Sequence, residues 1–229
     1  MKIMKRKTAI IVSGPPGSGK GTQAKLLAKK FGFFHFISSQ VGKEYISKHK
    51  NQETIKQAEN YRKGLLFDPP WLLKVIKEKI QKLFDKVDGI VFDGSPRTLY
   101  EAERLYPFLV DLFGKENVKI IIIDVNEREL RKRLEKRLIC SKNSEHVFIR
   151  SAQLQPGVAC PECPKQDGGV LKERDLDKKE LFQARMEEYK NRTLPGLEFL
   201  KKNHRVIIIN GEQPIEKVFQ DILDAIKHF

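Results

Sequence analysis

Gly14-Pro15-Pro16-Gly17-Ser18-Gly19-Lys20-Gly21-Thr22 follows, after Ser13, on the β-branched run Thr8 to Val12 and leads into the helical stretch Gln23 to Lys30. Glycines at this spacing let the backbone wrap a phosphate chain with its N–H groups turned inward. The N-terminus of the following helix adds positive potential, and Lys20 brings a mobile charge to the terminal phosphate oxygens. A glycine-rich turn that merely contained a lysine would need neither the strand before it nor the helix after it, and this loop has both.

Four more short apolar runs recur outward from the loop: Phe34 to Ile37, Ile90 to Phe92, Lys119 to Val125 and Val206 to Ile209. Such runs, apolar on both faces and separated by helical patterns, predict a parallel sheet covered on both sides. The expected fold is α/β: a doubly wound, three-layer P-loop fold on a parallel five-stranded sheet. Two segments break the rhythm without a clear strand of their own, the polar, helically spaced Ser39 to Phe67 and the cysteine-bearing Leu138 to Glu173. Both read as inserted lobes. Leu176 to Leu200 then predicts one long amphipathic helix, and Ile215 to Phe229 a closing one.

Composition limits the function classes. With 229 residues, 40% apolar and 32% charged, the chain can bury a core and is too apolar for a disordered tail. Lysine and arginine total 44 against 30 acids, and the resulting +14 favours an anionic partner. No run approaches the roughly 20 apolar residues of a membrane span. Met1 to Lys7 resembles the basic start of a leader, but Ala9 to Val12 meets Ser13-Gly14-Pro15-Pro16 too soon to be its apolar core, and no export signal is read. Three cysteines confined to Cys140–Cys163 do not make a disulfide framework, so a reducing cytoplasm is expected.

In the loop Lys20 is followed by Gly21 and only then by Thr22. The pattern G-x-P-G-x-G-K-G-T-Q, matched by Gly14, Pro16, Gly17, Gly19, Lys20, Gly21, Thr22 and Gln23, resembles that of the adenylate kinases, a family of nucleoside monophosphate kinases. A second block, Asp93-Gly94-Ser95-Pro96-Arg97-Thr98 at a strand end, resembles the family's D-G-F-P-R-T with Ser95 in place of Phe. Strand carboxyl ends are where open α/β sheets bind ligands, so both blocks converge on one crevice.

The resemblance spans the chain from Ala9 to the last helix and implies roles residue by residue. Gly14, Pro15, Pro16, Gly17, Ser18, Gly19, Lys20, Gly21 and Thr22 hold ATP, with Arg133, Arg137, Gln213 and Pro214 on its donor side. Ser38, Lys43, Gly64, Leu66, Phe67, Gly94, Arg97, Glu101, Arg174 and Arg185 hold the acceptor. Lys20, Arg97, Arg137, Arg174 and Arg185 neutralise the phosphate in flight. Thr22 and Asp93 order Mg²⁺, partly through water. Arg133 and Arg137, four residues apart, are expected on one helix face. The implied division is a core of residues 1–37, 68–136 and 174–229, an acceptor lobe of 38–67 and a lid of 137–173.

Departures gather around the acceptor. Gln40 stands where the family has an acid that helps order Mg²⁺ water, Leu176 where it usually has a second Asp, and Glu101 where it has a Gln reading the acceptor base. Lys43 replaces an arginine and cannot make its bidentate phosphate contact. Cys140-x2-Asn143-x16-Cys160-x2-Cys163 has the spacing of the zinc-bearing lid of bacterial relatives, with Asn143 in place of a cysteine. Three readings stay open: zinc on Cys140, Cys160 and Cys163 with a fourth ligand such as His146, a metal-free lid with Asn143 as a hydrogen-bonded remnant, or a redox pair at Cys160 and Cys163. The last is disfavoured because this C-x-x-C does not follow a βα start.

The expected activity is therefore transfer of the γ-phosphoryl of ATP, with Mg²⁺, to a nucleoside monophosphate. AMP leads, and GMP or UMP is the alternative. The resemblance further implies a cytoplasmic monomer without a membrane partner. A nucleic-acid-binding protein retaining a nucleotide site would also explain the charge. It should pair its basic runs with exposed aromatics, whereas here the phenylalanines fall at strand and helix-core positions.

Overall fold

The computed structural model describes residues 7–228; all but the last residue of the basic start Met1 to Lys7, and Phe229, lie outside them. Five parallel strands, β1 (Thr8–Ser13), β2 (Phe34–Ile37), β3 (Gly89–Asp93), β4 (Val118–Asp124) and, near the C-terminus, β8 (Ile207–Asn210), form one sheet in the order β2-β3-β1-β4-β8. These match the five apolar runs. Their side chains alternate between two apolar layers. Ala9, Ile11, Phe36, Ile90, Phe92 and Ile120 pack with α4 (Pro69–Phe84) and α5 (Leu99–Phe113), while Ile10, Val12, Val91, Ile121 and Ile123 pack with α1 (Lys20–Phe31) and the closing α9 (Ile215–Lys227). Fully burying one such isoleucine contributes about 1.5–3 kcal/mol, which keeps the faces packed on the helices apolar.

The register fixes the site. Val12 lies opposite Asp93 and Ser13 opposite Ile122, so β1 and β3 end side by side and release their loops over the same edge. Thr98 caps α5, its side chain accepting from the Glu101 N–H, and Asp68 caps α4 ahead of Pro69.

Between β2 and α4 lie α2 (Ser38–Lys48) and α3 (Gln52–Arg62), the latter closed by an Asn51–Thr54 capping box. The expectation of no strand in the cysteine segment is corrected: β5 (Arg137–Cys140), β6 (Val147–Ile149) and β7 (Leu171–Glu173) pair antiparallel in the order β6-β5-β7. Three or four residues per strand carry too little alternation to register in sequence. Arg137 is likewise corrected, since α6 (Glu127–Glu135) ends before it and Arg137 opens β5, paired with Ile149. Nor is Leu176 to Leu200 one uniform helix. A 3₁₀ turn covers Asp175–Asp177, α7 runs over Lys179–Glu188 and α8 over Leu194–Asn203, joined by a π turn at Tyr189–Thr193. Pro195 lacks the N–H that a continuous ladder would use, and the wider turn lies just before it.

Candidate active site

A cleft of about 710 Å³ opens along the carboxyl edge of the sheet. Its walls include Gly14 and Gly17 of the loop after β1, Lys20 and Thr22 at the start of α1, Asp93 at the end of β3 with Gly94 and Arg97 after it, and Arg137, Arg174 and Arg185 from the far side. Residues from five separate stretches of sequence thus meet in one place.

In the loop, Gly14, Gly17 and Gly19 have φ of 147°, 89° and 91°, the region glycine alone enters cheaply. A Cβ at Gly21 would sit 3.0 Å from Asp93 Oδ2, so the residue after Lys20 is glycine because the Asp93 carboxylate occupies the space. Lys20 is half-buried at the cleft wall, its Nζ donating to the Pro15 carbonyl at 3.1 Å. Burial pulls its ammonium down to about 7, against the attraction of Asp93 and with the help of Arg97 and Arg185. Burial works to raise Asp93, but His35, whose Nε2 lies 3.7 Å away, and Lys20 outweigh it and hold the carboxyl below its usual range.

The arginines are crowded rather than neutralised. Asp177, 6% exposed at its side chain, accepts from Arg137 Nε at 2.6 Å and from Arg185 Nη1 at 2.9 Å. Burial lowers both arginines, and Arg174 and Arg137 together with burial pull Arg185 down to about 9. Cations so placed favour a polyanion between them, since a phosphate chain supplies the charge that one carboxylate cannot.

On the opposite wall Ser38 Oγ lies 2.8 Å from the Gly94 carbonyl, which also accepts from Arg97 Nε at 2.7 Å. Lys43 lies over the Tyr61 ring, 5.5 Å from its centroid, and both line the cleft with Gly64, Leu66 and Phe67. Glu101 is buried at the cleft wall, and burial pushes its carboxyl up to about 7 against the Arg97 N–H and the Thr98 hydroxyl that bond to it.

The cysteines form a cluster. Donor atoms of Cys140, His146, Cys160 and Cys163 all lie within 4.8 Å of one another, with His146 Nδ1 3.5 Å from both Cys160 and Cys163 Sγ. Three sulfurs and an imidazole are the donor set of a closed tetrahedral zinc site. Cys140 and Cys163 Sγ are 3.4 Å apart, well beyond the roughly 2.05 Å of a disulfide. Burial opposes ionisation of Cys140, and the N–H groups of Asn143 and Lys142 outweigh it, so its thiol lies below the ordinary range. Sharing a hydrogen bond with Cys140 pushes Cys163 up to about 12. Asn143 supplies no sulfur; its Nδ2 lies 3.1 Å from His146 Nε2, so it orients the fourth donor. Among the described residues, Leu138, Leu171 and a few half-buried side chains form the core around the cluster, too small to hold the segment by burial alone.

Some expected residues are not brought to the cleft wall. Pro15 and Ser18 turn away within the loop, and Arg133, Gln213 and Pro214 lie outside the lining. Arg133 Nη2 donates to the Gly211 carbonyl at 2.8 Å, which ties α6 to the loop bearing Gln213 and Pro214. Others went unread: His35, Glu145 and Glu188 line the cleft, Glu188 accepting from the Leu66 N–H at 2.9 Å. A lone histidine inside the apolar strand Phe34–Ile37 was the only local sign among them.

The adenylate kinase family model matches residues 12–205. An adenylate kinase of Methanothrix thermoacetophila is 35% identical over 96% of this chain and 99% of its own, one of Petrotoga mobilis 31% over 96% and 98%, and one of Streptomyces avermitilis 34% over 95% and 96%. A glycine loop against Asp93, with arginines converging from the other side, is the arrangement such a match leads one to expect, and the similarity covers both halves of the cleft. The chain belongs to the adenylate kinase family.

Proposed function

We infer that the protein is a nucleoside monophosphate kinase that moves the γ-phosphoryl of ATP to AMP and yields two ADP. The observation that carries this is the convergence of Lys20, Arg97, Arg137, Arg174 and Arg185 on one cleft beside the glycine loop. Phosphoryl transfer needs the two phosphates in line, charge-neutralised and dry, and asks little covalent chemistry of the protein.

In this reading Gly14 to Thr22 hold the donor phosphates, and Arg133 with the loop bearing Gln213 and Pro214 flanks its adenosine end. Arg97 and Lys43 hold the acceptor phosphate, and Ser38, Gly64, Leu66, Phe67, Gly94 and Glu101 surround the nucleoside. Arg137, Arg174 and Arg185 face the equatorial oxygens. Residues 38–67 act as the acceptor lobe and 137–173 as a lid over the 1–37, 68–136 and 174–229 core, excluding water that would otherwise be phosphorylated.

The Thr22 hydroxyl and the ionised Asp93 carboxylate are hard oxygen donors and suit Mg²⁺, which adenylate kinases use with ATP. Bound there, the ion would neutralise the β- and γ-oxygens. The Cys140, His146, Cys160 and Cys163 set would hold one structural zinc. No helix among the described residues is long and apolar enough to cross a membrane. The reading has the protein act as a cytoplasmic monomer, and three thiols without a disulfide suit a reducing compartment. Coupled assay of the purified protein with ATP, Mg²⁺ and a panel of monophosphates tests the assignment: AMP should lead, and activity with none of them would refute it.

A further inference from the structure

Besides the Arg137–Asp177 pair and the Lys25 contact to the Glu145 carbonyl at 3.4 Å, two carboxylates of the lid segment touch the core, and each stands one residue before a member of the cysteine cluster. Glu145 precedes His146 and Glu162 precedes Cys163. The contacts differ in kind. Glu162 pairs with Lys25 at 3.0 Å with both side chains nearly half exposed, a pair of the sort that contributes little. Glu145 reaches inward. Its Oε1 accepts from Gln40 Nε2 at 3.1 Å and its Oε2 lies 3.5 Å from His35 Nδ1, while His35 Nε2 lies 3.7 Å from Asp93 Oδ2. His35 is 15% and Asp93 14% exposed, so the inner pair is largely out of water, where electrostatic contacts are stronger, while Glu145 at the rim is 33% exposed. The loop that delivers Glu145 is short and shaped: the Glu145 N–H donates to Asn143 Oδ1 at 3.0 Å and the His146 N–H to the Asn143 carbonyl at 3.1 Å.

We propose that Glu145 is a positioning residue for phosphoryl transfer, docking the 143–146 loop on Gln40 and His35 and, through His35, holding the Asp93 carboxylate in place beside Lys20 when the lid is down. One imidazole nitrogen faces each carboxylate, at 3.5 Å and 3.7 Å, so the lid's position is felt at the phosphate site without Glu145 touching the phosphates. The cysteine cluster fixes the loop that carries it. This rests on the placement of the phosphates at Lys20 and Asp93, which Lys20→Ala tests independently: retained activity there removes the site, whatever Glu145 does.

The test is a double-mutant cycle on the zinc-loaded enzyme with ATP and AMP. Glu145→Ala should lower kcat about tenfold with less than a threefold change in the KM for ATP, because the defect is in alignment and not in binding. Glu145→Gln keeps an oxygen for Gln40 Nε2 and turns its amide NH2 toward His35 Nδ1, and should recover to within about threefold of the parent. In a His35→Gln background the Glu145→Ala cost should shrink to about twofold or less, since coupled residues are non-additive. Glu162→Gln should stay within about twofold throughout. Zinc content should remain one per chain in every variant. A full tenfold cost of Glu145→Ala in the His35→Gln background, a Glu145→Ala variant as fast as the parent, or loss of zinc from Glu145→Ala would each overturn the proposal. Should His35→Gln fail to fold, the contrast between Glu145→Ala and Glu145→Gln decides alone, and equal kcat for the two would overturn it.

Discussion

The Glu101 carboxylate accepts from the Arg97 main-chain N–H at 3.0 Å, and its other oxygen lies 3.3 Å from the Thr98 hydroxyl, so the first turn of α5 ties this group to the main chain of an arginine at the cleft wall. Burial nonetheless raises its pKa from 4.5 to about 7. Below pH 4.5 the group is neutral folded and unfolded, and it costs nothing. From 4.5 to about 7 the unfolded chain releases the proton first, so stability falls as pH rises; above 7 the penalty is complete. Glu101→Gln removes it. The variant should melt about 3 °C or more above the parent at pH 8 and converge with it at pH 4. Equal melting at pH 8 would show that the acid is not strained by burial.

The same titration should appear in acceptor choice. A neutral carboxylic acid can donate to adenine N1 and accept from the N6 amino group, whereas the ionised form only accepts and suits the ring N–H of guanine or uracil. The kcat/KM for AMP relative to GMP should therefore fall as pH rises through about 7, and Glu101→Gln should hold it high and flat. An unpaired group against the wrong base costs about 1–3 kcal/mol, a factor of roughly 5 to 150. A parent ratio that ignores pH would mean Glu101 does not read the base.

Lys20, lowered to about 7 by burial, is largely neutral at pH 8 before the nucleotide arrives. Phosphate oxygens favour its ammonium, so ATP binding at pH 8 should take up close to one proton, measured by calorimetry in buffers of different ionisation enthalpy. Lys20→Ala should abolish that uptake and lower the transfer rate by on the order of 10³ or more while the circular dichroism spectrum is unchanged. Uptake that persists in the variant would assign the proton elsewhere.

Elemental analysis of untagged, metal-replete protein should find one zinc per chain, lost in Cys160→Ser and in His146→Ala but kept in Asn143→Ala. Metal removal should loosen residues 137–173 first, seen as faster hydrogen exchange there than in β1 or β4, because that small lobe has little apolar core. Zinc retained by His146→Ala would show that another residue completes the site.

What the sequence disclosed follows the range of the interactions. The loop Gly14 to Thr22 and the five sheet strands are written in local spacing, by glycines that must take unusual φ and by apolar runs that must be buried on both faces. The block at Asp93 could be read for the same reason. Arg137 was placed on a helix because the basic run before it has helical spacing, and only pairing with β6 and β7 reveals the strand. Gln40 and Glu145 are 105 residues apart, and no local pattern ties such a pair together. Gln40 looked like the mere loss of an acid; in the fold it is the hydrogen-bond donor that meets one. His146 was one candidate for the fourth ligand, and only the turn at Asn143 shows how it reaches the sulfurs.

Following the label from γ-³²P-ATP in the presence of Mg²⁺ and AMP is the most direct test of the assignment. The purified protein should convert AMP to ADP labelled at its β-phosphate, with unlabelled ADP formed in equal amount and no free phosphate ahead of it. Release of labelled inorganic phosphate without labelled ADP, or label passing to no nucleoside monophosphate at all, would contradict the account.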